Sequence, residues 1–191
     1  MKFWDFFSKK ICIDLCTANS LIYLAGAGIV VNEPTIVAVN GKTGQLLAIG
    51  EDARKMIGRT PAHINVVRPL VSGIISDFDM AQEMLRYFMR RIGKSHFTLN
   101  YHKAVIGVPS NLTEVERKSV EDAVLGAGVN KVYIIEESVA AALGARLPID
   151  EPTANMIVDI GGGTTEIAII SMGGSVTSKS LKIAGDKFHE E

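Results

Sequence analysis

Two short segments of this chain place an aspartate at a strand end and follow it with a turn of small and hydroxyl residues. In "IDLCTANS", Asp14 precedes Cys16, Thr17, Ala18 and Asn19; in "VDIGGGTTE", Asp159 precedes Gly161, Gly162, Gly163, Thr164 and Thr165. A turn between two strands exposes consecutive backbone N–H groups, and when these point one way they form a concave anion site. Glycine suits such a turn because it permits positive φ and lets a phosphate approach with no Cβ in the way. Two aspartates facing each other across a cleft could hold the water shell of a Mg²⁺ that bridges phosphates. Thr17, Asn19 and Thr164 add side-chain donors. Either turn alone is equally compatible with plain strand-end structure, but packing has no need of two aspartates at equivalent strand ends. In "IIEESVAAALGA", Glu136 and Glu137 stand between a strand and a helix N-terminus. A carboxylate there can orient an attacking water for phosphoryl transfer or merely favour the helix dipole.

The elements that must position these groups follow from apolar spacing. "KICIDL", "SLIYLA" and "GIVVNE" read as strands joined by two hairpins. "TIVAVN" and "LLAIG", around "NGKTG", continue the β pattern, and "EDARKMIG" reads as a short helix closed by Gly58. Together these predict a small mixed module over residues 35–71. From Asp79 the spacing turns helical through Met80, Met84, Leu85, Phe88 and Ile92, with Gly93 as the expected stop. "KAVIGVP" reads as a fully buried strand ending at Pro109. Thr113 and Glu116 form a capping box for the next helix. A strand "KVYIIE", an alanine-rich helix and a proline-flanked connector "LPIDEP" follow, the last suggesting a domain crossing. "CIDLCTANSLIYLAGAGIVV" and "MIVDIGGGTTEIAIISMGGSV" then repeat one order of strand, aspartate, turn, strand, turn and strand. An internal duplication of this unit predicts two similar halves facing each other.

Composition narrows the function classes. The 191 residues are 47% hydrophobic and 21% charged, which suits one or two buried cores. A formal net charge of -1 argues against the basic field needed for non-specific nucleic-acid binding. Cys12 and Cys16 sit in or beside one predicted strand and cannot staple distant segments, so a reducing, cytoplasmic compartment fits best. His63, His96, His102 and His189 are scattered singly, too far apart in sequence to suggest a zinc cage with the thiols. No apolar run reaches the length of a spanning helix. Wound as a helix, "MKFWDFFSKK" sets Phe3, Trp4, Phe6 and Phe7 on one arc and Lys2, Asp5, Ser8 and Lys9 on the other. Such a face either lies in a bilayer interface or packs its aromatics on its own domain.

In one order and at one spacing, "IDLCTAN", "VIGVP", "TEVERKSVEDA", "IIEESVAAALGA" and "VDIGGGTTE" resemble the motifs of MreB, the family of bacterial actin homologues within the actin, sugar-kinase and heat-shock-chaperone superfamily. The likeness runs from about Ile11 to the last residues. It implies an α/β, actin-like (ribonuclease H-like) fold, a mixed β-sheet with flanking helices, with the first domain complete and the second only begun. The implied division is 1–10 as an N-terminal amphipathic segment, 11–34 with 72–147 as the first large subdomain, 35–71 as the small subdomain and 148–191 as part of the second large one. The family implies an ATPase whose membrane-associated filaments organise cell-wall synthesis and rod shape at the inner face of the cytoplasmic membrane. Its partners would be further copies of itself, that membrane and the membrane proteins of wall elongation.

By the same resemblance, Cys16, Thr17, Ala18 and Asn19 match the first phosphate loop, and Gly161, Gly162, Gly163, Thr164 and Thr165 the second. Glu137 matches the glutamate that polarises the catalytic water, Thr164 the threonine that helps place it, and Asp14 and Asp159 the Mg²⁺-linked aspartates of an ATP site. Phe3, Trp4, Phe6 and Phe7 match a membrane-binding helix, with Phe97, Leu99 and Tyr101 of "HFTLNY" as a second contact. Cys16 departs from the family's glycine and Ser138 from a proline. The chain also stops at "AGDKFHEE", so the adenine-binding half of the cleft and a cover for the apolar faces of the second half are expected to be missing. The alternative is a truncated, non-hydrolysing interaction module. A small-molecule kinase would need a further acceptor aspartate that the chain does not offer between the two turns.

Overall fold

The computed structural model describes residues 8–59, 61, 63–96 and 100–188. Alternation along the first strand decides the architecture. In β1 (Ser8–Leu15), Ile11, Ile13 and Leu15 are buried, so Cys12 and Asp14 must point to the opposite face. β2 (Asn19–Leu24) and β3 (Gly28–Pro34) follow as an antiparallel meander. β4 (Val37–Asn40), β5 (Leu46–Ile49), the single-turn α1 (Glu51–Arg54) and β6 (Ile64–Val67) build a separate sheet of order β5-β4-β6. This unit has its own small core around Ile36, Ala38 and Ala53. β7 (Leu70–Val71) and β8 (Ile74–Ile75) form a minimal hairpin. Its two tip residues, Ser72 and Gly73, have φ of 50° and 74°, as a turn matching strand twist requires.

The chain then runs through α2 (Phe78–His96), β9 (Asn100–Val108), α3 (Glu114–Gly126) and β10 (Val132–Glu136). β9 pairs parallel to β1 and β10 parallel to β9, giving a mixed sheet of order β10-β9-β1-β2-β3. Helices α2 and α3 bury Met84, Leu85, Phe88, Ile92, Val120 and Val124 in the main core with the inward residues of β1. The methionine stripe is therefore core. The remaining elements are α4 (Glu137–Gly144), the antiparallel meander β11 (Asn155–Ile160), β12 (Thr165–Ser171) and β13 (Gly174–Leu181), and the single turn α5 (Gly185–Phe188). β1-β2-β3 and β11-β12-β13 thus share one topology, as the duplicated sequence predicts.

Four expectations change. Helix α2 runs past Gly93 to His96, since packing of Phe88, Met89 and Ile92 outweighs the roughly 1 kcal/mol that an interior glycine costs. β9 is not buried throughout: Ala104, Ile106 and Val108 enter the core, while Val105 and Gly107 line the opposite cleft. Residues 8–10 belong to β1, so a terminal helix cannot include Ser8 or Lys9. Tyr101, expected at a membrane contact, is buried, and its hydroxyl donates to the Met89 carbonyl at 2.9 Å. Phe3, Trp4, Phe6, Phe7, Phe97 and Leu99 lie outside the described residues.

The inner face of the second sheet, with Ala168 and Ile170, packs on Ala142 of α4. Its outer face leaves Met156, Val158 and Ile160 at 65%, 50% and 59% exposure, the uncovered apolar surface that the sequence leads one to expect. Among the described residues, no helix is long and apolar enough to cross a membrane.

Candidate functional site

The two aspartate turns meet. A Cβ built on Gly162 would lie 2.7 Å from Ala18 Cβ, and one on Gly163 would lie 2.6 Å from Thr17 Oγ1. Neither glycine, nor Gly161, has a left-handed φ. The glycines are therefore needed for close approach of the two turns, and the expectation that they supply positive φ is corrected. Cys16 has no left-handed φ either, so its Cβ strains nothing.

The first turn is held from behind. Its Cys16 carbonyl accepts from Thr35 Oγ1 at 2.7 Å, and the Ala18 carbonyl accepts from the Thr35 N–H at 2.9 Å. Thr35 Oγ1 also lies 2.9 Å from Ser20 Oγ, and both residues are fully buried. Thr17, read as a phosphate donor, accepts through Oγ1 from the Gly73 N–H at 3.0 Å, tying the β7–β8 tip to the site. The second turn is closed by Gly161 N–H donating to the Thr164 carbonyl at 2.9 Å. It is braced by Gly185 and Asp186 N–H groups donating to the Gly161 and Gly162 carbonyls. Arg68 reaches Asp186 at 2.7 Å across the outside of the turns.

Beneath the turns lies a cavity of about 110 Å³ lined by Asp14, Cys16, Thr17, Gly73, Glu137, Asp159, Gly161, Gly162, Gly163, Thr164 and Glu166. Strand alternation delivers the acids. Asp14 lies on the sheet face opposite the core, and the cross-strand pair Asp159 and Glu166 shares the inner face of the second sheet. Gly107, paired with Asp14, leaves room for Glu137, whose Cγ would lie 3.4 Å from a Cβ there. The Cys16 thiol donates to Asp14 Oδ1 at 2.9 Å. Ligand atoms of Asp14, Cys16 and Glu137 all fall within 4.8 Å of one another. Burial first, then the charges of Asp14, Glu166 and Asp159, push the Glu137 carboxyl up to about 8. Burial and the charges of Asp14 and Glu166 also raise the Asp159 carboxyl. The Cys16 thiol is raised by burial and by Asp14, so it is a protonated donor at neutral pH. Glu166 is 2% exposed; Oε2 accepts from Ser110 Oγ at 2.6 Å, while Oε1 has no partner.

Of the residues singled out in the sequence, the cavity gathers Asp14, Cys16, Thr17, Glu137, Asp159, Gly161, Gly162, Gly163 and Thr164. Three others stand elsewhere. Asn19 is exposed at the start of β2 and, with Ala18, lines a separate depression beside Pro34 and Arg68. Thr165 donates its hydroxyl to the Ile183 carbonyl at 2.7 Å, away from the cavity. Glu166, Gly73 and the Ser20–Thr35 pair were not foreseen. For Glu166, the signal was a lone acid in the otherwise apolar "TEIAII"; for Gly73, the Ser-Gly step between two apolar pairs. The residues present fit a nucleotide's phosphates and a divalent cation, because a Cβ-free double turn roofs converging acids and one buried carboxylate oxygen lacks a partner.

The sequence profile of the family described as MreB/Mbl protein matches residues 8–191. The cell shape-determining protein MreB of Escherichia coli (strain K12) is 45% identical over 193 residues, covering 99% of this chain and 56% of the relative. The cell shape-determining protein Mbl of Bacillus subtilis (strain 168) is 48% identical over 185 residues, covering 97% and 55%. Among solved structures, MreB5 of Spiroplasma citri bound to ADP superposes with a TM-score of 0.88 at 41% identity, covering 96% of this chain and 54% of that one. A chain of the MamK double helical filament, at TM-score 0.75 and 21% identity, shares the fold. The fold is therefore actin-like, and the chain spans about half the length of the curated relatives it matches. With the duplicated aspartate turns, the acidic cavity and a profile match from Ser8 to Glu191, the chain belongs to the MreB/Mbl family.

Proposed function

We propose that this chain is the phosphate-binding part of an actin-like cytoskeletal ATPase, whose ATP-dependent filaments determine cell shape at the inner face of the cytoplasmic membrane. The observation that carries the reading is the abutment of the two aspartate turns over an acidic cavity. Two structures of one relative support it: MreB5 of Spiroplasma citri is bound to ADP in one and to AMPPNP in the other. Backbone N–H groups of the turn after Asp14 and of Gly162 and Gly163 bind the phosphates, the Gly161 N–H being used to close its own turn. Asp14 and Asp159 are the residues that would hold a hydrated Mg²⁺, which would supply charge neutralisation on the phosphates. Glu137 orients the attacking water, with Thr164 lining the same cavity. Filament growth is head to tail, a heterologous contact that need not close. Phe3, Trp4, Phe6 and Phe7 are the membrane-binding residues, and wall-elongation membrane proteins are the partners.

The test titrates ATP with Mg²⁺ into the chain by calorimetry and follows phosphate release and sedimentation. Asp159→Ala is expected to abolish nucleotide-dependent assembly in the full-length protein. Normal assembly by that variant would sink the reading; binding without phosphate release would favour the non-hydrolysing module instead.

A further inference from the structure

We infer that the acidic cavity is also a site for a borderline-soft divalent transition metal such as Zn²⁺ or Co²⁺, held directly by Cys16 Sγ and by the Asp14 and Glu137 carboxylates. Three observations point there. The three ligand atoms lie within 4.8 Å of one another. A tetrahedral zinc centre with its usual bond lengths needs ligand atoms about 3.4–3.6 Å apart, so small side-chain rotations close the set. Independently, Glu166, 2% exposed and lining the same cavity, keeps Oε1 without a partner. An unpaired carboxylate oxygen at that depth is costly unless positive charge arrives. Asp159 completes the negative field. The thiol is what separates this site from an all-oxygen one. Oxygen ligands suit Mg²⁺, which keeps several waters and binds through one or two carboxylates. A thiolate selects for softer ions.

Binding replaces the Cys16 S–H bond by a metal–sulfur bond and the Glu137 O–H bond by a metal–oxygen bond, and both protons leave to solvent. No electron moves. Three protein ligands leave one tetrahedral position for water, as in open zinc sites. The occupied volume is where the proposed nucleotide's cation would sit, so the two ions compete. The metal site itself does not depend on the nucleotide reading.

The probe is Co²⁺ alone, added to the chain under reducing conditions without nucleotide. One equivalent is expected to bind and give a near-ultraviolet thiolate-to-cobalt band. Cys16→Ser is expected to remove the band and weaken Co²⁺ binding about tenfold or more, since even losing a ligand's supporting group typically costs 10–100-fold. Cys12→Ser, altering the exposed thiol on the strand that leads into the turn, should leave both intact. Absence of the band, its survival in Cys16→Ser or its loss in Cys12→Ser overturns the assignment. Should Cys16→Ser fail to fold, Glu137→Gln serves: it should keep the band and weaken binding by a similar factor, and unchanged affinity overturns the ligand set. Mg²⁺-ATP is then added to the cobalt form. Displacement supports both readings, whereas a Cys16-dependent band indifferent to Mg²⁺-ATP leaves the metal site standing and removes the nucleotide.

Discussion

Glu137 offers the sharpest test of the electrostatics. Its carboxyl is pushed up to about 8 from 4.5, mainly by burial and then by Asp14, Glu166 and Asp159. Between those two pH values, the folded chain holds a proton that the unfolded chain has released. The favourable contribution is therefore complete below the unfolded value and is lost as pH rises through the folded one. Stability should fall across this window by up to one proton's worth, about 1.4 kcal/mol per pH unit. The raised Asp159 carboxyl adds a slope of the same sign. Glu137→Gln removes the largest titration and should flatten the profile. At pH about 8 the variant should be more stable than the parent by roughly 2–4 kcal/mol, less than the full shift because the neighbouring acids share the repulsion. The assay is urea unfolding of both proteins at several pH values in a chelator and without nucleotide. Parallel profiles for parent and variant would refute the claim that burial of this carboxyl governs the site.

Three further outcomes test separate parts of the structure. Gly162→Ala and Gly163→Ala should each weaken Mg²⁺-ATP binding by roughly tenfold or more (about 1.4 kcal/mol), because their Cβ atoms would meet the opposite turn at 2.7 and 2.6 Å. Gly161→Ala, whose Cβ meets only the Thr164 carbonyl at 3.3 Å, should be milder in the same calorimetric titration; equal losses would contradict the close-approach account. Gly50 sits at φ 64° and ψ -130° before α1, and a Cβ there would lie 2.5 Å from Glu33 Oε2, so Gly50→Ala should cost about 1–3 kcal/mol in denaturant unfolding. Tyr101→Phe should cost about 1 kcal/mol through the lost bond to Met89 and leave liposome co-sedimentation unchanged; aspartates at Trp4 and Phe7 should reduce that co-sedimentation.

The strands and their duplication were legible because alternation is a local signal. "ICIDL" puts Ile11, Ile13 and Leu15 on one face and leaves Asp14 on the other whatever the partner strands are. The capping box was legible for the same reason: Thr113 and Glu116 satisfy each other within one turn. Boundaries set by packing were not. Gly93 reads as a stop by propensity, yet α2 passes through it. The two-residue strands around Ser72 and Gly73 are too short to carry a period, although their Ser-Gly tip is a turn signal.

By itself, the sequence determined which residue types are available to the site and that two aspartates occupy matching strand positions, since both follow from composition and period. Only the tertiary structure decided what those residues touch. It turned Thr17 inward to Gly73 and committed Thr165 to Ile183. It drew Glu166 into the cavity opposite Asp159 and set the Cys16 thiol on Asp14 at 2.9 Å. The physical reason is range. A turn's backbone and a strand's alternation are settled within a few residues, whereas a carboxylate's proton affinity and a glycine's clearance depend on atoms more than a hundred positions away in the chain, brought close by folding.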